Sequence, residues 1–336
     1  MKKIALIVSV VVLFAAVASF VGGLKVDAAE VKKIVVGLSW NEKRHALVEA
    51  WEDYMKQYSK EYGKEHGIEF EWIVTVADSD PAQQNSNIEN LIIEGVDIIV
   101  ARPHDTAAIG AAIRAAHEAG IPFVTFDREC STVTPDAHVG ADSYNHVRSI
   151  ALYFAGLLKG MGIKGKVIEL MGDLRDMNAV WFHKAWHDVE DQLGAWETVA
   201  EVPTRWDPEK YYTGTVDALR AHPEANCIFV HSDFAFPGVE TALRNAGRFT
   251  PAGEKGHMWI ATIMSDVPGY EAMLKGYIDV STVWDAYVHA VKIVEVLGKI
   301  AKGEDLGGKR FLVTGRIVTR ETLEKVKHLW IREYKD

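Results

Sequence analysis

Short apolar runs alternate with longer stretches of helical period along most of the chain. KIVVGL at residues 33–38 has the continuous apolar character of a buried strand, and residues 44–62 carry apolar side chains at helical spacing. FEWIVTV, VDIIVA and IPFVTF repeat the strand pattern, with predicted helices starting at Asp80-Pro81 and spanning Ala107 to Ala119. Four strand and helix units in succession predict a parallel sheet with helices on both faces.

A second series of the same kind begins near Tyr144. Its predicted strands are KVIEL, WETVAEV, NCIFV, MWIATI and IDVSTV, each separated from the next by a helical segment. The two halves match in kind without obvious sequence repetition, so we expect two similar α/β lobes. A last helix from Ala286 to Lys302 and the stretch FLVTGRIV follow the second series, which suggests that the chain returns to the first lobe.

The amino-terminal segment has the layout of a secretory signal. Lys2 and Lys3 precede an apolar run from Ile4 to Val21, and small residues end at Val26-Asp27-Ala28. We predict a signal peptide over residues 1–28, cleaved after Ala28. An uncleaved membrane anchor is the alternative, because about 18 apolar residues can begin to span a bilayer. Both interpretations place the remainder in the periplasm or another extracytoplasmic space.

Composition and motifs exclude several classes of function. The formal charge of −10 disfavours a nucleic-acid partner, and two cysteines, Cys130 and Cys227, are too few for a disulfide framework. The chain has no Gly-x-Ser-x-Gly elbow, no His-Glu-x-x-His helix and no phosphate-binding glycine loop, so we predict neither an enzyme nor a cofactor. His183 and His187 lie one helical turn apart, but no cysteine or carboxylate cluster accompanies them in sequence, so no metal site is predicted.

Candidate chemistry follows the strands, because ligands of open α/β sheets bind beyond the carboxyl ends of the strands. These positions are rich in aromatic and hydrogen-bonding side chains: Trp40, Asn41, Arg44, His45, Asp127, Arg128, Arg175, Trp206, Ser232, Asp266 and Asp285. A carboxylate can accept from two hydroxyl groups and a guanidinium can donate a fork of N–H bonds. This combination suits a polyhydroxylated ligand whose C–H faces pack on aromatic rings. A local ion pair or turn at Asp127-Arg128 is the alternative that this dipeptide alone leaves open.

Several segments together resemble the periplasmic sugar-binding proteins of ABC importers, and most of all the ribose-binding branch. They are IVVGLSWN, DPAQQNSNIENLIIEGVDIIVARPHDTAAIGAAIRAAHEAGIPFVTFDRE, VGADSYN, KVIELMGD, TRWDPEKYYTGTVDALRAHPEANCIFVHSD and GYEAMLKGYIDVSTVWD. The resemblance covers roughly residues 31–318. It implies the type I periplasmic binding protein fold, with an amino-terminal lobe of residues 31–141 plus 286–314 and a carboxy-terminal lobe of 142–285 plus 315–336. Three strand crossings would form a hinge that closes on one small ligand.

The resemblance also implies roles for individual residues. Asp127 and Arg128 match the family's ligand-gripping pair, Trp206 a stacking aromatic, and Asp285 a polar hinge residue. The departures concern the ligand. Arg44 and His45 stand near positions where the family has paired aromatics, Ser232 replaces an asparagine, Asp266 aligns only after a one-residue shift, and Arg175 is a candidate substitute for an unmatched helix arginine. Ribose itself is therefore not implied.

These observations predict a monomeric receptor that captures a monosaccharide or sugar alcohol and delivers it to an ABC permease, with a chemoreceptor as a further candidate partner. Arg44, Arg128 and Arg175 would suit a sugar acid, a sugar phosphate or another small polar ligand instead. An exported enzyme is a weaker alternative. A transcription regulator with the same two-lobed core is disfavoured, because the chain has an export signal where a helix-turn-helix module would stand.

Overall fold

The computed structural model describes residues 31–264, 266–326 and 329–333. The predicted signal peptide at residues 1–28 lies outside this range. Among the described residues, no helix combines the length and the apolar character needed to span a bilayer.

The described residues form twelve strands and nine α-helices. The strands are β1 (Lys32–Trp40), β2 (Ile68–Val76), β3 (Ile98–Ala101), β4 (Phe123–Phe126), β5 (Ala137–Ala141), β6 (Gly165–Met171), β7 (Trp196–Pro203), β8 (Cys227–Val230), β9 (Trp259–Met264), β10 (Val280–Val283), β11 (Lys309–Val313) and β12 (Arg316–Val318). The helices are α1 (Ala46–His66), α2 (Pro81–Glu94), α3 (Ile109–Glu118), α4 (Ser143–Gly160), α5 (Met177–Leu193), α6 (Pro208–Ala221), α7 (Phe236–Asn245), α8 (Val267–Leu274) and α9 (Ala286–Ala301).

The strands build two six-stranded sheets, in the orders β11-β5-β4-β3-β1-β2 and β12-β10-β9-β8-β6-β7. Strands β3, β4 and β5 pair in parallel in the first sheet, and β6, β8 and β9 do so in the second. The added strand β12 pairs antiparallel with β10. Helices follow most strands of both sheets, which confirms the prediction of two doubly wound α/β lobes.

The chain passes between the two sheets three times. It leaves the first sheet after β5, returns after β10 through α9, and leaves again between β11 and β12. The stretch FLVTGRIV therefore contains two short strands in different sheets. Its central Thr314-Gly315 lies at the last crossing.

Strand β5 is an element that the apolar pattern did not predict. Its sequence AHVGA contains a histidine and a glycine, yet all five residues are buried between β4 and β11. The Nδ1 atom of His138 lies 2.9 Å from the hydroxyl of Thr125 on β4, so this polar side chain is satisfied inside the sheet. Small residues and one partnered histidine therefore form a central strand without a long apolar run.

Aspartates begin several helices, including the one predicted to start at Asp80-Pro81. The side chain of Asp80 accepts from the backbone N–H groups of Ala82 and Gln83, with Pro81 in the first turn. Asp207 and Pro208 begin α6 in the same way. Each carboxylate satisfies backbone donors that the helix itself leaves unpaired.

A cluster of aromatic rings forms the core of the second lobe. Trp186 on α5 stacks on Phe229 with ring centroids 4.2 Å apart and packs against Trp196 at 4.4 Å. The indole of Trp186 is fully buried, as its helical spacing predicts. Both cysteines are free thiols, as predicted, with Cys227 buried and Cys130 half-buried.

Candidate functional site

A cavity lies between the two lobes, at the carboxyl ends of their strands. It contains about 620 Å³ free of protein atoms, including its mouth to solvent, but the centre of a water molecule can reach only about 90 Å³ of it. Its lining is Glu42, His45, Leu47, Val48, Trp51, Arg102, Asp127, Arg128, Asp176, Asn178, Phe182, Trp206, His231, Ser232, Phe234, Ile263 and Trp284. The structure thus brings five of the predicted site residues to one cavity: His45, Asp127, Arg128, Trp206 and Ser232.

Asp127 is held rigidly where β4 ends. Its backbone has a left-handed conformation (φ 61°), which aspartate tolerates better than most residues, and its side chain is 2% exposed. One carboxylate oxygen accepts from Arg102 Nε at 2.7 Å, and the other accepts from Trp284 Nε1 at 3.1 Å. Both oxygens keep further lone pairs, so Asp127 can also accept from ligand hydroxyls.

Arg102 contacts three polar side chains of the first lobe beside the cavity. Its guanidinium donates to Asp127 and to Asn41 Oδ1, both at 2.7 Å, and lies 3.5 Å from Glu42 Oε1. It also sits over the ring of Trp51, 5.5 Å from the centroid. Burial alone would lower the pKa of Arg102, but Asp127 and Glu42 outweigh it and raise the pKa, so the group stays charged.

Arg128 reaches across the cavity to the second lobe. Its Nε atom lies 2.7 Å from Asp176 Oδ2, and both side chains are buried. Asp176 is also the cap of α5 and accepts from the backbone N–H of Asn178. Burial and the neighbouring Arg102 lower the pKa of Arg128, and burial raises the pKa of Asp176 even though Arg128 opposes that rise. This ion pair carries a substantial desolvation cost.

Further contacts between the lobes show that the described conformation is closed. Asn178 Nδ2 donates to the backbone carbonyl of Asp127 at 3.1 Å, and the backbone N–H of Thr106 donates to the carbonyl of Arg175 at 3.0 Å. The ring of His45 contacts Phe234 of the second lobe, with centroids 4.5 Å apart. Burial lowers the pKa of His45 although Glu42 opposes it, which favours the neutral imidazole at this contact.

Trp206 forms an aromatic wall from the second lobe and depends on a glycine behind it. The residue has a positive φ of 58° and is half-buried. A Cβ atom at Gly172 would lie 2.1 Å from Cζ2 of the indole, far inside van der Waals contact. Gly172 therefore allows the ring to lie flat against the end of β6.

We expect Gly172→Ala to weaken ligand binding by about tenfold, or about 1.4 kcal/mol, because the added methyl displaces the Trp206 ring. Titration calorimetry would measure the loss for this variant, for Trp206→Ala and for the double variant. The two single losses should not add, since both changes remove the same wall. Additive losses, or an unchanged affinity in Gly172→Ala, would show that Gly172 does not act through the indole. An unchanged affinity in Trp206→Ala would contradict a role for the indole in the cavity.

The other predicted site residues lie outside the cavity lining. Trp40 is fully buried and donates to Glu52 Oε2 at 2.8 Å, since its side chain faces α1 instead of the other lobe. Asn41 contacts the site only through Arg102. Asp285 and Asp266 cap helices, accepting from the backbone N–H groups of Val288 and Val267.

Arg44 and Arg175 do not converge with Arg128. The side chain of Arg44 is largely exposed and donates to Ser79, and that of Arg175 is half exposed and forms a fork with Asp173. Since neither lines the cavity, the structure does not support a cluster of three arginines for an anionic ligand. Arg175, expected to reach the ligand space, pairs with Asp173 outside the cavity lining.

Sequence reasoning missed Arg102, Asp176, Asn178 and Glu42. Arg102 directly follows the strand VDIIVA, so the rule used for the other strand ends could have found it. Glu42 is buried beside Arg102. Asp176 and Asn178 begin a helix four or more residues beyond β6, and only the packing of the lobes brings them to the cavity.

Comparison with known proteins agrees with this architecture. A model described as a periplasmic binding protein domain matches residues 36–305. A provisionally named rhizopine-binding protein of Rhizobium meliloti is 30% identical over 249 residues, covering 73% of this chain and 78% of that protein. The ribose import binding protein of Salmonella typhimurium is 25% identical over 242 residues, covering 71% and 77%.

Solved structures show the same fold. An ABC transporter solute-binding protein from Bacillus halodurans with bound myo-inositol superposes with a TM-score of 0.77 at 23% identity, covering 91% of this chain and all of that one. The chain therefore belongs to the periplasmic binding protein family, with the type I arrangement of two α/β lobes.

Proposed function

We propose that the chain is an extracytoplasmic receptor that captures a monosaccharide or sugar alcohol between its lobes and delivers it to an ABC-type importer. The observation that carries the proposal is the cavity between the lobes, lined by paired charges and aromatic rings. Relatives named for ribose and D-apiose import, and a structural neighbour with bound myo-inositol, support this class of ligand. Membership of the family also confirms the prediction of a binding protein instead of an enzyme.

The charge balance of the cavity favours a neutral ligand. Among the lining residues, the carboxylates Glu42, Asp127 and Asp176 face the guanidiniums Arg102 and Arg128. Each guanidinium already has a carboxylate 2.7 Å away. An anionic ligand would compete with these pairs, whereas neutral hydroxyls can use the remaining lone pairs and N–H groups.

The shape and walls of the cavity suit a single ring. The aromatic side chains Trp51, Phe182, Trp206, Phe234 and Trp284 provide apolar surface on several sides. The Nε1 atoms of Trp51 and Trp206 have no hydrogen-bond partner within the described part of the chain, and both residues line the cavity.

Closure would proceed by a population shift. Ligand contacts made from both lobes are complete only when the lobes meet, so binding stabilises the closed form. We place the hinge at the three chain crossings, with lobes of residues 31–141 plus 286–314 and 142–285 plus 315–336. Residues 1–28 would act as the export signal, and the closed monomer would be the form that the permease, or a chemoreceptor, binds.

A thermal-shift screen tests the proposal. The purified protein would be unfolded and refolded to remove carried ligand, then tested against pentoses, hexoses, sugar alcohols, sugar acids and sugar phosphates. A specific ligand at a hundredfold excess over its dissociation constant should add about 2.7 kcal/mol of stability. We expect hits confined to neutral sugars or polyols.

Other outcomes would change the conclusion. Hits confined to acids or phosphates would favour the anionic alternative over the neutral one. Stabilisation by none of these compounds would contradict a carbohydrate receptor.

A further inference from the structure

A second polar cluster lies in the carboxy-terminal lobe, outside the contacts described above. Its centre is Glu169 in the middle of β6, whose side chain is completely buried. The carboxylate contacts His183 Nδ1 and His187 Nε2 on α5, both at 3.0 Å from Oε2. Glu201 on β7 lies 3.7 Å from the same nitrogen of His187. Two helix histidines and two strand carboxylates thus converge from three elements.

We propose that Glu169, His183, His187 and Glu201 form a binding site for a divalent transition metal, with Zn²⁺ as the fitting ion. Their four ligand atoms all lie within 4.8 Å of one another. Four ligands placed about 2.0–2.2 Å from a tetrahedral zinc ion are about 3.3–3.6 Å apart, so small side-chain movements would complete the geometry. The i, i+4 spacing of the histidines places both imidazoles on one face of α5.

The supporting contacts resemble the outer shell of known metal sites. His187 Nδ1 lies 3.1 Å from Glu190, whose carboxylate is held by the backbone N–H and hydroxyl of Thr198 at 2.7 Å each. A carboxylate on one imidazole nitrogen fixes the ring and leaves the other nitrogen for the metal. Glu190 therefore selects Nε2 of His187, the atom that faces Glu169 and Glu201.

His231 fixes the orientation of the buried Glu169 carboxylate in the same way. Its Nδ1 accepts from the backbone N–H of Gly172 at 3.1 Å, so its Nε2 carries the proton and donates to Glu169 Oε1 at 2.8 Å. This leaves Oε2 of Glu169 directed at the two helix histidines. Because His231 also lines the ligand cavity, one side chain joins the two sites.

The chemistry of the four ligand side chains, and their exposure to solvent, indicate which metal ion the site would bind. Imidazole with carboxylate suits zinc and its transition-metal neighbours, whereas Mg²⁺ and Ca²⁺ prefer oxygen ligands alone. Two carboxylates would neutralise the charge of the ion. The side chains of Glu201, His183 and His187 are 52%, 33% and 27% exposed, so the ion has access from solvent.

Zinc titration of the purified protein, free of any histidine tag and treated with EDTA, tests this proposal. We expect one equivalent of Zn²⁺ to bind and raise the melting temperature, with no rise from Mg²⁺ or Ca²⁺. Glu201→Gln should weaken zinc binding at least tenfold while leaving the metal-free melting temperature unchanged, because Glu201 is exposed at the sheet edge. His183→Gln should also weaken it at least tenfold.

His222→Gln provides a matched control, since this histidine is one-third exposed, like His183, and pairs with Glu224 elsewhere in the same lobe. It should leave zinc affinity unchanged. Cobalt substitution adds an independent readout, because tetrahedral Co²⁺ absorbs visible light and Glu201→Gln should change that spectrum. Absence of zinc binding, binding that survives both ligand substitutions, or an effect of His222→Gln as large as theirs would overturn the proposal.

Discussion

Asp127→Ala should lower sugar affinity by about 2–5 kcal/mol, a loss of about 30-fold to several thousand-fold. The carboxylate accepts from Arg102 and Trp284. Its removal leaves the buried guanidinium of Arg102 with Asn41 at 2.7 Å and with the carboxylate of Glu42 at 3.5 Å. Ligand hydroxyls would lose an acceptor in a site closed to solvent, where an unsatisfied donor is costly. Titration calorimetry with the best neutral ligand from the screen would measure the change.

Asp191→Ala is the matched control, because Asp191 lies exposed on α5. It should bind ligand with unchanged affinity. Asp127→Asn separates charge from shape, since the amide keeps the size of the side chain but gives Arg102 a poorer partner. Near-normal affinity in both Asp127 variants, with folding checked by circular dichroism, would remove Asp127 from the binding site.

Trp186→Ala should lower the free energy of unfolding by about 3–5 kcal/mol. The indole is fully buried between Phe229 and Trp196, so truncation opens a large cavity in the core of the second lobe. Urea unfolding followed by circular dichroism would measure the change. The loss should appear as a lower transition midpoint without a change in the native spectrum.

Trp181→Ala on the same helix provides the comparison. This side chain is half-buried, and its ring makes an edge contact with Tyr144 at a centroid distance of 6.4 Å. Its truncation should cost about 1–2 kcal/mol. Equal losses for the two tryptophans would show that burial in the core of the second lobe does not govern their contributions.

Helices and strands whose apolar residues recur at a regular spacing could be predicted from the sequence. The spacing of Trp51 and Trp186 within helices marked their faces as buried, and both are. Strand β5 could not be predicted in this way, because AHVGA owes its burial to its neighbours β4 and β11 and not to apolar side chains of its own. The antiparallel pairing of β12 with β10 could not be predicted either. It depends on where the chain crosses between the two sheets, and the spacing of apolar residues does not reveal that crossing.

The site was most readily predictable where its residues follow strands directly. Asp127 and Arg128 meet this condition and lie in the cavity, and Arg102 meets it as well. Asp176 does not, because its position depends on how α5 docks against the first lobe. Arg44 follows a strand too, yet its long side chain turns to Ser79 and to solvent. Strand ends therefore locate the site, but side-chain direction within it requires the packed lobes.

The ion pair of Arg128 with Asp176 and the backbone bond of Thr106 to Arg175 involve protein atoms alone. Their contribution to closure is therefore independent of which sugar is present. The apparent dissociation constant equals the intrinsic one divided by the fraction of competent protein, so these contacts scale the affinity for every ligand by the same factor. Thr106 and Arg175 lie outside the cavity lining, so weakening their backbone bond would shift the concentration range of a sensor built on this scaffold without altering its selectivity. Substitution of Arg128 or Asp176 would also change contacts with the ligand, because both line the cavity.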